Sequence, residues 1–248
     1  MANTKFTLDT RDTITHDGRK LYRIKALKNI GLHVFEGNLG GYVEHEKNLD
    51  SYGTSWIDVN ARVYGDAQIA DDSQVSNFAQ VCGNALLSGN ATVFGQAIVR
   101  DQAKVRNDAQ VGDNAQILES AVVTGYSFVR GNAIIRGAAR IHQHARVAGG
   151  LIEGNASVGQ YARLMQGNAR IESQDDILLQ APVGPSSDAI TAYRTSTGGI
   201  ELAFGREFVG TLEAFREMVS SRFAHADQRK VLTQLLGQAS LVETWFTA

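Results

Sequence analysis

His142 and His144 lie in a stretch that also carries Arg136, Arg140 and Arg146. An imidazole titrates near physiological pH, so its neutral form can take a proton from a hydroxyl or an amine. A guanidinium fork pairs with phosphate oxygens two at a time. From Arg100 to Arg170 there are nine Lys/Arg against five Asp/Glu, a locally positive stretch suited to an anionic ligand. Other candidate motifs carry less. Gly37-Asn38-Leu39-Gly40-Gly41 has no Gly-Lys-Ser/Thr to complete a phosphate loop and reads as a tight turn. Glu44-His45-Glu46 offers metal-capable atoms, but neighbours on a strand alternate sides and cannot converge on one ion. Cys82 has no histidine partner in sequence, and no Gly-x-Ser-x-Gly or His-Glu-x-x-His occurs.

The elements that must position these residues follow from a repeat. Sixteen aliphatic residues recur every six positions from Ile57 to Val147 without a miss. Two residues before each stands Ala in thirteen cases and Ser in three. Two residues after each, from Val63 onward, thirteen of fifteen positions are Gly, Asp or Asn. Those three residue types tolerate positive φ and mark a sharp bend once per hexad. The branched aliphatic suits the centre of a short strand, and the small residue fits an interior corner. Such units are stable only when stacked, each strand then having a partner above and below. The apolar spacing and the recurrent Gly/Asn corner exclude a helical reading. After a one-residue deletion the repeat resumes at Ile152, Val158 and Leu164, and after a one-residue insertion at Ile171 and Ile177.

An aliphatic residue with Ala or Ser four later resembles the hexapeptide signature of left-handed parallel β-helices. The left hand is implied by the resemblance, since the general rule for parallel crossovers is right-handed. In that fold three hexads make one triangular coil, so the repeat implies nearly seven coils and a prism about 33 Å long at about 4.8 Å per strand layer. A closer similarity is to hexapeptide proteins of the YdcK type from bacteria and phages, a group described as acyltransferases. It rests on Leu21–Leu27 with Gly37–Glu44, on the Gly-Asn-Ala hexads at Gly83, Gly89 and Gly131, and on Tyr193-Arg194-Thr195 with Gly210–Phe215. The resemblance implies His144 or His142 as general base, and acetyl-CoA or another acyl-CoA as co-substrate. Arg136, Arg140 and Arg146 would then hold its phosphates, with Tyr126 beside them, and a small hydroxyl or amino compound would be the acceptor. Residues 18 apart stack on such a coil, giving one corner column of Asp72, Asn90, Asp108, Tyr126 and His144. The hexad Ile141–Arg146 breaks the rule in that column, with Gln143 and His144 where Gly-Asn is usual. It also departs from the family, whose histidine commonly occupies the slot held here by Gln143. Family enzymes often extrude a long loop to wall the site, whereas hexads 57–147 are uninterrupted. The competing expectation is a non-catalytic scaffold that binds a protein or glycan, in a phage-related setting.

Of 248 residues, 25 are Gly and only 2 are Pro, which excludes collagen and Pro-rich linkers. A net charge of −2 gives no strong pull towards nucleic acid or membrane. One cysteine suits a reducing compartment, and MANTKFTLDT lacks a signal-like pattern, so the expected location is cytoplasmic. Residues 1–54 read as an N-terminal β cap, 55–180 as the β-helix, and 181–248 as a linker, short strands and two helices. Thr211 is the expected N-cap of the first helix. Both prolines, at 182 and 185, fall where the ladder should stop. Ile98, Leu118 and Ile134 on one face, and Phe94 and Phe128 on another, suggest cover by the C-terminal helices or by other subunits, a homotrimer being the expected assembly.

Overall fold

A computed structural model describes residues 3–183, 188–225 and 228–247. The chain folds as a left-handed parallel β-helix of about seven coils, with an N-terminal strand region and a C-terminal helical segment. Twenty two-residue strands, β4 (Trp56–Ile57) to β23 (Arg170–Ile171), form the coils. They stack into three parallel faces. Face I runs from Arg62–Val63 to Arg170–Ile171, face II from Gln68–Ile69 to Ser157–Val158, and face III from Trp56–Ile57 to Arg163–Leu164. The register is 18 residues per coil, as in Thr92 opposite Gln110. It shortens at the deletion, where Ile135 pairs with Ile152, and lengthens at the insertion, where Ile152 pairs with Ile171.

Each hexad slot does what its residue type allows. The aliphatic and Ala positions are buried in one continuous core. The three Ser substitutes are buried as well: Ser73 and Ser127 donate to carbonyls three residues back, and Ser55 accepts from Lys5 Nζ. All fifteen bend slots from Gly65 to Gly149 have positive φ, including Glu119 and Gln143. Where the slot holds a polar side chain, that chain often accepts the corner N–H of the next coil, as Asp71 does from Gly89 at 2.8 Å and Glu119 from Gly137 at 2.9 Å. That bond offsets the cost of a left-handed non-glycine residue.

Both ends of the ladder are covered. β1 (Phe6–His16), β2 (Arg19–Ala26) and β3 (Leu39–Val43) extend face I, with β3 running parallel to Arg62–Val63. Gly41 belongs here and cradles no phosphate: a Cβ on it would lie 2.5 Å from the carbonyl oxygens of Ala61 and Asp58. At the other end β24 (Ile177–Val183), β25 (Asp188–Arg194), β26 (Ile200–Phe204) and β27 (Phe208–Thr211) form an antiparallel sheet. Tyr193 and Ile177 of this sheet enter the prism core. Pro182 sits at a register shift in the edge strand β24, where a missing N–H breaks no central ladder; Pro185 lies outside the described residues. Thr211 caps α1 (Leu212–Arg222) by accepting the Ala214 N–H. That helix and α2 (Arg229–Thr247) bury Phe215, Val219, Leu235 and Val242 in a second core against the sheet. Among the described residues the helices therefore pack mainly on their own sheet, with Trp245 Nε1 donating to Asp175 O just beyond the last coil.

Candidate functional site

A groove of about 1170 Å³ separates the corner between faces II and III from the C-terminal sheet. The corner contributes Tyr126, His142, His144 and Tyr161, and the opposite wall is built from residues at 181–182, 188–189 and 205–206. No loop leaves the coils here; the sheet that plugs the end of the prism also walls the groove.

His142 follows the core residue Ile141, so its side chain points outward at the turn. Its ring lies directly above Gly159, where a Cβ would be 2.1 Å from Cε1. Nε2 is 3.0 Å from Ser157 Oγ. Burial, and then the Arg140 charge, hold the imidazole below its ordinary value of 6.5. The ring is therefore neutral at neutral pH and able to accept a proton. His144 occupies the next outward position and is clamped between Tyr126 and Tyr161. The centroid distances are 5.3 and 5.0 Å and the interplanar angles 6° and 5°. The spacing is that of successive coils, so the parallel rings follow from the register.

The arginines divide. Arg146 lines the groove. Arg140 lies outside it on face II but acts on His142 through its charge. Arg136 is ion-paired with Glu153, Nε to Oε2 at 2.7 Å, and does not line the groove. Tyr126, His142, His144 and Arg146 are thus brought together, and Arg136 and Arg140 are not. Ser157, Tyr161, Arg163 and Arg206 also belong to the groove or touch its histidine, although the sequence did not single them out. For Tyr161 the signal was present, because the deletion after Val147 continues the His144 column at position 161.

The other motifs have structural roles. Glu44 pairs with Arg19 at 2.9 Å and accepts the Gly65 N–H at 2.8 Å. Burial pushes the half-buried Cys82 thiol up, away from the reactive thiolate. Among the described residues no group of three His, Cys, Asp or Glu could hold a metal ion, and no helix is long and apolar enough to cross a membrane. The apolar residues expected to need cover are partly covered within the chain. Leu118 is buried, and Phe94 lies over Gly112 and stacks on Phe128 at 6.3 Å. Fold and groove together define a left-handed parallel β-helix with a groove between a prism corner and a C-terminal sheet. No protein-family model and no curated protein matches the sequence.

Proposed function

We propose that the chain is an acyl-CoA-dependent transferase acting on a hydroxyl or amine acceptor, with His142 as the general base. The carrying observation is the His142 imidazole, held by Ser157 over Gly159 with burial drawing its pKa down, on a groove that also holds Arg146 and Arg206. His142 takes the acceptor's proton as its oxygen or nitrogen attacks the thioester carbonyl. The C–S bond then breaks, and the imidazolium returns the proton to the departing CoA thiolate. Arg146 and Arg206 face the phosphates of the donor, in place of Arg136, which is paired with Glu153, and Arg140, which lies outside the groove. His144, immobilised between two tyrosines, shapes the wall beside the base. The YdcK-type resemblance points the same way.

Thermal-shift titration with CoA and acetyl-CoA tests the reading, because a ligand specific for the folded state raises the melting temperature. Free-thiol release with a hydroxyl or amine acceptor should follow, and His142→Ala should abolish it without unfolding the chain. No shift at millimolar CoA overturns the transferase reading. It would leave the scaffold reading, which draws on the exposed ring edges of Tyr126, His144 and Tyr161, since tyrosine is enriched in binding surfaces.

A further inference from the structure

Four arginines that form no salt bridge among the described residues, Arg130, Arg146, Arg163 and Arg206, line neighbouring spaces. On face III the outward positions Phe128, Arg146 and Arg163 are paired in register on successive strands. Like charges directly opposite each other repel, so two adjacent guanidinium groups need something to offset them. Arg130 approaches from the end of the Phe128 strand, its guanidinium carbon 5.5 Å from the ring centroid. Arg130, Arg146 and Arg163 line a small pocket of about 90 Å³ with Phe128, Val147 and Met165. Arg146 and Arg163 also line the large groove, where Arg206 stands on the C-terminal wall, so the two spaces adjoin at these side chains.

Among the described residues none of these four arginines forms a salt bridge. Asp188, the acidic residue of the groove lining, comes within 4.0 Å of none of their nitrogens. Nε of Arg163 is buried with no hydrogen-bond partner. Arg62 and Arg106 share that feature, but neither lines the groove or the pocket. Burial first, then the charges of Arg146, Arg206 and Arg130, draw the Arg163 guanidinium below its usual value. A cluster of uncompensated cations is unfavourable, and one multivalent anion relieves it.

We propose that Arg130, Arg146 and Arg163, with Arg206 at the mouth, form a subsite for a tetrahedral oxyanion carried by the molecule that occupies the groove. A carboxylate is satisfied by one guanidinium fork, whereas several forks around one small pocket match a phosphate, with three outward oxygens and up to two charges. The subsite shares Arg146 and Arg206 with the donor-phosphate contacts proposed above, but phosphate binding itself needs no turnover. It requires only that the ligand reach from face III round the corner to His142.

The test uses the full chain and inorganic phosphate, titrated by calorimetry against chloride at matched ionic strength. Saturable phosphate binding is expected, weakened about tenfold or more in Arg163→Gln and in Arg130→Gln. Arg130 is exposed, so its variant reports even if Arg163→Gln folds poorly. Arg170→Gln, on face I, should bind phosphate like the wild type. Binding no stronger than chloride, or equal in wild type and Arg130→Gln, overturns the proposal. A second titration in the presence of CoA identifies the source of the phosphate group. Displacement by CoA assigns it to the acyl donor, and simultaneous binding assigns it to the acceptor; each supports the subsite. Phosphate binding without any CoA binding would remove the acyl-CoA reading and keep the subsite.

Discussion

A methyl group added at Gly159 would lie 2.1 Å from Cε1 and 2.5 Å from Nε2 of His142. Contacts under 3.0 Å essentially never occur at a real Cβ, so in Gly159→Ala the ring must retreat by about 1 Å. The backbone at 159 is outside the left-handed region, so alanine itself is tolerated there. It stiffens the unfolded chain, contributing about 0.4–1 kcal/mol of stability. Loss of the Ser157 hydrogen bond costs about 1 kcal/mol. The two effects nearly cancel, and the melting temperature should hardly move. The titration of His142 should move. Freed from burial, its pKa rises towards 6.5, which carbon-detected histidine NMR reads directly against a His142→Gln control. Linkage gives a second check. The folded-state pKa is depressed, so the wild type loses stability as pH falls below 6.5, where the unfolded chain takes up the proton first. Gly159→Ala should lose less over that window. A general base displaced by about 1 Å should cost about 100-fold in turnover. An unchanged His142 titration in a folded variant would refute the packing described, and unchanged turnover would refute its role as base.

Three further outcomes are expected. The buried Lys5 ammonium donates to Asp50 O, Tyr52 O and Ser55 Oγ at 3.0, 2.9 and 2.8 Å, and burial draws its pKa down from 10.5 to about 8. Native chains therefore release this proton first, and the stability difference between wild type and Lys5→Met should move in the wild type's favour from pH 8 to 10.5; urea unfolding at a series of pH values that showed no such trend would contradict the burial. The Tyr193 phenol donates to Glu201, which also accepts from Asn168 at 2.9 Å and so ties the sheet to the last coil. Tyr193→Phe should cost about 1–3 kcal/mol in urea unfolding, and a cost near zero would mean that the pair does not hold the cap. For assembly we propose a homotrimer through the half-buried Ile98 and Ile134 of face I. Light scattering at micromolar concentration checks it, and a monomer would rule it out.

The period-six pattern was legible because a β-helix is local in sequence. Each hexad carries its own strand, interior corner and bend, and the neighbour that pairs with it is always one coil away. Register shifts could be read at single-residue precision, as the pairing of Ile135 with Ile152 shows. Glu119 and Gln143, the exceptions in the bend slot, adopt positive φ regardless, because the coil around them dictates the conformation.

The site was half legible for the same reason. The broken rule at Ile141–Arg146 pointed to His142 and His144, and coil stacking placed Tyr126 beside His144. Arg136 and Arg140 were near in sequence, but a β-helix separates near neighbours: four residues along the chain turn a corner to a different face. Arg163, well beyond them in sequence, stands next to Arg146 instead. The far wall had no signal at all, since nothing in Pro182, Asp188 or Arg206 records that the terminal sheet folds beside that corner. Sequence alone determined the coil, its register and its interior, because those depend on contacts at a fixed separation. Only the tertiary structure decided which corner became a groove, which histidine was packed against Ser157 and Gly159, and which arginines of the groove form no salt bridge among the described residues, because those depend on packing between segments with no fixed spacing.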